Sequence, residues 1–393
     1  MFQNSINYKK TQFVFIILLV AFPKISFIEI PGYWQGLRID DFICLIFLIL
    51  IMLKFIKKDQ TVLPDKNFIG LGFYFCLPFL IFSYLVSVFN NFELSIVSYL
   101  RIIEYFIIII SFNLFRINFQ IFVKFLKILL IVNFIFCILQ FYDLIGHISS
   151  RGPQIPDYRY FKATGIFSST LENSFISLVI YFIISLNIKR NMNIYLLIVI
   201  VTVLLADNRT LILAMILSIF LMNFNMSQIL KKNYILIFPI LIIVFFLFYF
   251  FSYKLFQFDL FYIFQTLKDL VIYNIVDSQK SIDSQYYSWN YRLIDWQIHL
   301  NNYSKNIYTY IFGTGINSIY YESGFIRLLT SFGIFSVFII LYLIRNFPAY
   351  FSVIILVSSV TADIVVSFKI FIIVLIYCHV LEFVKNEYRN RRY

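Results

Sequence analysis

The chain is poor in charge. Only 13% of its 393 residues are Asp, Glu, Lys or Arg, where a soluble domain carries about 25%. Hydrophobic residues make up 61%, and mean hydropathy is +0.85. A soluble fold of this size could not hide so much apolar surface, and a disordered chain would be polar. Cysteine is scarce as well. Cys44, Cys76, Cys137 and Cys378 all stand in apolar stretches with no C-x-x-C spacing. They read as small core hydrophobes rather than disulfides or metal ligands. His147, His299 and His379 are far apart, and no H-E-x-x-H, P-loop or D-x-D occurs, so no metal site is indicated. Alanine is rare beside 50 Phe and 29 Tyr. That bias suits an AT-rich genome as well as any function, so aromatic content alone is no argument for sugar stacking. What remains is an all-α, polytopic integral membrane protein.

A helix needs about 20 apolar residues to cross a bilayer. Runs of that kind predict about 12 spans, near 11–30, 41–56, 67–89, 94–115, 119–141, 170–188, 194–206, 210–226, 234–253, 323–344, 348–363 and 365–383. Together they form one transmembrane helical domain over 1–393. The first run follows Lys9 and Lys10 and lacks a small-x-small cleavage site, which predicts a retained signal anchor. With both termini in the cytoplasm, the inner segments hold 18 of the 32 Lys and Arg but only 4 of the 20 acids. This asymmetry obeys the positive-inside rule. Much of the +12 net charge is then a topology signal, and nucleic-acid binding is not implied.

The outer face carries the elaboration. A shorter basic loop covers 142–169, and a large one covers 254–322. Long connections without a domain of their own are commonly functional. No internal repeat is visible, which disfavours a transporter built from inverted halves.

Four groups there could carry chemistry. The first is Arg151, Arg159 and Lys162, followed by Ala163-Thr164-Gly165-Ile166-Phe167. Basic residues outside run against the topology bias. Either they meet a polyanion such as diphosphate, which guanidinium groups match in geometry, or they are incidental charges of a solvated loop. The second is Asp207-Asn208-Arg209-Thr210, between two apolar runs. An arginine there lines a wet site, or snorkels or pairs with Asp207. The third is the segment from Trp289 to His299. If helical, Trp289, Arg292, Trp296 and His299 share one face. That face suits a sugar beside a phosphate, and it equally suits an interfacial amphipathic helix. The fourth is Phe312-Gly313-Thr314-Gly315, then Glu322-Ser323-Gly324 and Arg327. Its glycines permit a tight turn, or a ligand lying against backbone amides. Arg101 and Glu104, three residues apart inside the fourth span, read more simply as a buried ion pair.

The order of these segments resembles the O-antigen polymerase and ligase superfamily, and within it the Wzy-type polymerases. The resemblance covers about 38 to 345. Arg38-Ile39-Asp40-Asp41 opens the second span. Lys162 to Ser169 is similar to the family's R-x-x-G-x-F element, with lysine where arginine is usual. Asn208-Arg209-Thr210 is similar to its S-R-T element. Arg292 to Trp296 resembles R-x-x-x-W, and Gly313-Thr314-Gly315 the G-x-G after it. Glu322-Ser323-Gly324-Phe325 through Gly333-Ile334-Phe335 resembles the acidic-S-x-x-L…G-I-x-G element. The ligase branch carries His-Asn where Glu322-Ser323 stands, which favours the polymerases.

The resemblance implies an inverting glycosyltransferase of the membrane-embedded GT-C type. It needs no metal, no cofactor and no nucleotide sugar. Donor and acceptor are both oligosaccharides linked to undecaprenyl diphosphate. Membrane lipids are further partners, and a chain-length regulator would fit beside them. On that reading Arg209, Arg292 and either Arg159 or Lys162 meet the diphosphate, because charge developing on a leaving group needs fixed cations where no metal serves. Glu322 is the expected base for the acceptor hydroxyl, with His299 or Glu172 as alternatives. Arg151, Gly165, Trp289, Trp296, Gly313, Gly315 and Arg327 are expected to contact substrate. The rival readings are a ligase with a different acceptor and a flippase that uses the same cations as a path.

Overall fold

The computed structural model describes residues 19–22, 26–30, 33–56, 85, 88, 103–105, 107, 108, 110, 119–146, 148, 162–187, 192–223, 287–303, 307–314, 323–338, 341, 347–361 and 367–390. The span expected at 234–253 lies outside these residues, as do most of those at 67–89 and 94–115, residues 254–286 and Arg101. The chain is mostly helical. Its contacts divide it into two compact units, where the sequence reading treats it as one domain.

The first unit takes in residues 1–215 and 364–393. It begins with an antiparallel hairpin of β1 (Ser26–Ile30) and β2 (Tyr33–Arg38), with Ser26 opposite Arg38 and Ile30 opposite Tyr33. This corrects the first expected span, which cannot remain helical to residue 30. The local signal is Pro31-Gly32 between two short apolar runs, a dipeptide that breaks helix. Helix α1 (Ile39–Ile56) follows directly. Asp41 accepts a hydrogen bond from the Arg38 backbone N at 2.7 Å, and Asp40 pairs with the Arg38 guanidinium at 2.9 Å. Acidic residues in a first turn also favour the helix N-terminus.

Four further helices pack around one another: α2 (Phe119–Phe141), α3 (Thr170–Asn187), α4 (Met192–Leu205) and α10 (Phe368–Asn390). The start of α5 (Arg209–Asn223) belongs here too. α3 is the central element, and every residue from Glu172 to Ile184 is buried. Among the described residues one helix, over Ile121–Phe141, is long and apolar enough to cross a membrane.

Unlike the helices of a soluble protein, these carry apolar side chains on their exposed faces and bury some polar ones. On α2 the interior face carries Asn133 and Gln140, while Ile121, Ile128, Ile131 and Ile135 face outward. On α4 the interior takes Thr202, and Ile194, Leu197 and Leu204 are exposed. α1 exposes Phe42, Leu45, Ile49 and Met52.

The second unit spans 216–314 and 320–363. Its described elements are α6 (Tyr287–Tyr303), α7 (Ile307–Phe312), α8 (Gly324–Phe332), a 3-10 turn at Gly333–Phe335 and α9 (Ala349–Thr361). α6 and α9 both pack on α8, and α7 packs on α8 and the 3-10 turn. Ser323 caps α8 by accepting from the Ile326 N. Gly333 ends it at φ +62 and ψ −147, a backbone region essentially reserved for glycine. Here too some polar residues are inside and apolar ones outside: Ser331, Ser352, Ser358 and Ser359 are buried, while Val337, Phe338 and Leu341 are exposed.

Candidate functional site

In the first unit the element Lys162–Ser169 is an irregular segment held inside the helices. Two side-chain amides of α2 hold it. Gln140 Oε1 accepts from the backbone N of Thr164 at 3.0 Å and of Gly165 at 2.7 Å. Its Nε2 donates to the Gly165 carbonyl at 3.0 Å. Asn133 Oδ1 accepts from the Ile166 N at 3.0 Å, and its Nδ2 donates to Asn173 Oδ1 at 2.6 Å. Asn173 Nδ2 closes the circuit on the Ala163 carbonyl at 3.1 Å. Buried backbone groups outside regular structure need such partners. Gly165 sits at φ +59, where a Cβ would lie 2.0 Å from Asn133 Oδ1. Its glycine serves this close approach of backbone to amide.

The segment ends in a capping box. Ser169 Oγ accepts from the Glu172 N at 3.0 Å. The Glu172 carboxylate reaches back to the Ser168 N at 3.3 Å and accepts from the Ser168 Oγ at 2.5 Å. Ser367 Oγ, at the start of α10, donates to the same carboxylate. Two helix N-termini therefore meet at a buried Glu172, and their dipoles favour its negative charge. Two residues on, the Lys369 ammonium bonds the Phe22 carbonyl and lies 5.2 Å from the centre of the Phe167 ring.

Lys162 joins the first and second sequence groups. Its Nζ pairs with Asp207 Oδ2 at 2.7 Å and approaches the Asp207 carbonyl at 3.4 Å. The next residue, Ala163, donates its N–H to the Leu205 carbonyl at 3.1 Å. Asp207 is left-handed at φ +47, and Asn208 caps α5 by accepting from the Leu211 N at 3.2 Å. Arg209 opens α5 and is placed by its backbone. Lys162 and Asp207 are both partly exposed, so an incoming anion can compete with Asp207 for the ammonium.

In the second unit, α6 presents Leu293, Trp296, His299 and Tyr303 as its buried face. Trp296 and His299 thus share a face, as their spacing predicts. Arg292 is half-buried, and Trp289 is placed by its backbone. Asp295 Oδ1 lies 3.2 Å from His299 Nε2. Arg327 is buried on α8, the helix that α6 packs against, so the third and fourth sequence groups meet.

Gly313 has a structural task. It stands at φ +81, where a Cβ would lie 2.3 Å from the Ser331 carbonyl. Its N–H donates to the Thr309 carbonyl, and the Thr314 N–H donates to the Thr330 carbonyl at 2.7 Å. Both amides are engaged within the fold, in keeping with the tight-turn reading of Gly313. Arg151, Arg159, Gly315 and Glu322 lie outside the described residues.

The Tyr303 phenol donates to the Tyr310 carbonyl at 2.6 Å. Burial, and then the neighbouring Tyr310, push its pKa up to about 12. The usual tyrosine value is about 10. The folded state therefore holds this proton more tightly than the unfolded chain. Stability from this group is fully present below the unfolded value and is lost as pH rises toward the folded one. In denaturant titrations at rising alkaline pH, wild type should lose more stability than Tyr303→Phe. Parallel losses would contradict this.

Sequence reasoning did not single out Asn133, Gln140, Asn173, Ser367 or Lys369. A signal existed: Asn133 and Gln140 stand seven residues apart, on one face of an otherwise apolar helix. Among the described residues no cluster of His, Cys, Asp and Glu could hold a metal ion. Comparison with known proteins finds no matching family model, curated protein or solved structure.

Proposed function

We propose that the chain is a polysaccharide polymerase of the bacterial inner membrane, a glycosyltransferase working on undecaprenyl-diphosphate-linked glycans. The proposal includes about 12 spans, cytoplasmic termini and a reaction face toward the periplasm. The exposed apolar helix faces in both units support the membrane environment. Apolar surface left in water costs roughly 25 cal/mol per Å², and a hydrocarbon surround removes that cost. The observation that carries the enzymatic reading is that Lys162 and Ala163 bond Asp207 and Leu205, just before Asn208-Arg209-Thr210. Two signature elements far apart in sequence thus adjoin.

In the proposed reaction the acceptor hydroxyl oxygen bonds to the anomeric carbon of the growing glycan. The bond from that carbon to the diphosphate breaks, and its electron pair leaves with undecaprenyl diphosphate. Lys162 and Arg209 are proposed to offset that charge, and the likeness of Arg292 to the R-x-x-x-W element makes it a candidate for the same role. Glu322 is proposed to take the hydroxyl proton. No metal or cofactor takes part.

The test is elongation by purified protein in liposomes without an ion gradient. Short lipid-linked units should yield a ladder of longer chains. Units moved across the bilayer but unextended would mean a flippase. Transfer to an added lipid A-core acceptor, in preference to the repeat unit, would mean a ligase.

A further inference from the structure

Asn133 and Gln140 are not among the residues proposed to meet substrate, yet they bind the backbone of Thr164, Gly165 and Ile166. Extending α3 backward by two turns would satisfy the same backbone groups with no side-chain amides. The chain instead keeps an irregular segment in its interior, an arrangement tolerated only where protein supplies the hydrogen bonds. It also accepts two left-handed residues, Gly165 and Asp207, on either side of the junction. Backbone strain of this kind persists where the surroundings over-determine it.

What the arrangement fixes is the position of Lys162. The amide clamp begins two residues away, at Thr164. Between them Ala163 is held on one side by the Leu205 carbonyl and on the other by Asn173. Lys162 then has little freedom except along its own side chain, which ends on Asp207.

We infer that Asn133 and Gln140 are positioning residues, which act through the backbone of 163–166 to hold Lys162 against the turn that leads into Arg209. The inference rests on the reading of Lys162 and Arg209 as diphosphate ligands. Displacing a positioned group by about 1 Å can cost two orders of magnitude in activity, so amides that touch no substrate would still control its binding.

The experiment uses the full-length protein in detergent, with inorganic pyrophosphate as the probe and titration calorimetry as the readout. Gln140→Leu, Lys162→Ala and the double variant form a cycle. Each single change should weaken pyrophosphate binding by about tenfold, and the double should bind no more weakly than Lys162→Ala alone, since residues acting as one unit are not additive. Losses that multiply would overturn the inference. So would a Gln140→Leu protein that melts earlier but binds as wild type does. Should Gln140→Leu not fold, Asn133→Ser replaces it in the same cycle. Wild type that elongates lipid-linked glycan while the cycle is additive refutes the positioning role alone. Wild type that neither elongates nor binds pyrophosphate refutes the proposed function as well.

Discussion

Arg209→Ala should slow elongation of lipid-linked glycan by about 100- to 1,000-fold, and Arg292→Ala by a similar factor, the usual cost of deleting one preorganised donor to a developing negative charge. The argument is electrostatic. Without a metal, the charge on the departing diphosphate must be met by fixed cations, and near a low-dielectric surround each contact is stronger than in water. Folding should survive in both variants. α5 is capped by Asn208 rather than by Arg209, and Arg292 is only half-buried beside a face built from Leu293 and Trp296. Arg209→Lys should recover part of the rate, because it restores charge without the planar fork of donors. Two alanine variants that are folded and elongate as wild type does would end the proposed mechanism.

The second large effect falls on stability. Gly313→Ala should cost about 3–5 kcal/mol, combining the strain of a left-handed non-glycine residue with overpacking. The new Cβ would stand 2.3 Å from the Ser331 carbonyl carbon and oxygen and 2.6 Å from the Phe332 N. Those are backbone atoms of α8, so no side chain can swing away. The partner surface is equally tight, since a Cβ on Gly333 would meet the Ile311 carbonyl at 2.2 Å. Gly146→Ala is the control, with nothing within 4 Å of its added Cβ. Denaturant unfolding in detergent should separate the two variants widely. Equal midpoints would show that α7 and α8 do not meet as described.

The reach of the sequence can be judged element by element. Helix starts were legible from the apolar runs: those at 170–188 and 323–344 begin beside Ser169 and Ser323, which cap α3 and α8, but the second runs on past Gly333, where α8 ends. The shared face of Trp296 and His299 was legible because α6 is polar enough for its period to show. Elsewhere the period carries no information, because α1, α2 and α4 are apolar on both their buried and their exposed sides. The hairpin was hidden by the same saturation, since Ser26–Ile30 looks like the tail of an apolar run. The clamp on Gly165 could not be derived at all. Asn133 and Gln140 stand 24 to 40 residues from the partners that form the clamp, and only the packing of α2 on α3 brings them into reach. Glu172 was readable as a candidate base, but its engagement with Ser168 and Ser367 was not.

The account depends on which side of the membrane carries the cations of α6. Cys44 and Cys137 are buried and Cys378 is half-buried, so the four native cysteines are first replaced by serine to leave an engineered thiol readable. Ser281→Cys, just before α6 in sequence, should react with a membrane-impermeant maleimide added to intact, outer-membrane-permeabilised cells. Labelling that appears only when the cytoplasmic face is opened would place Arg292 on the wrong side, and a periplasmic polymerase could not be maintained.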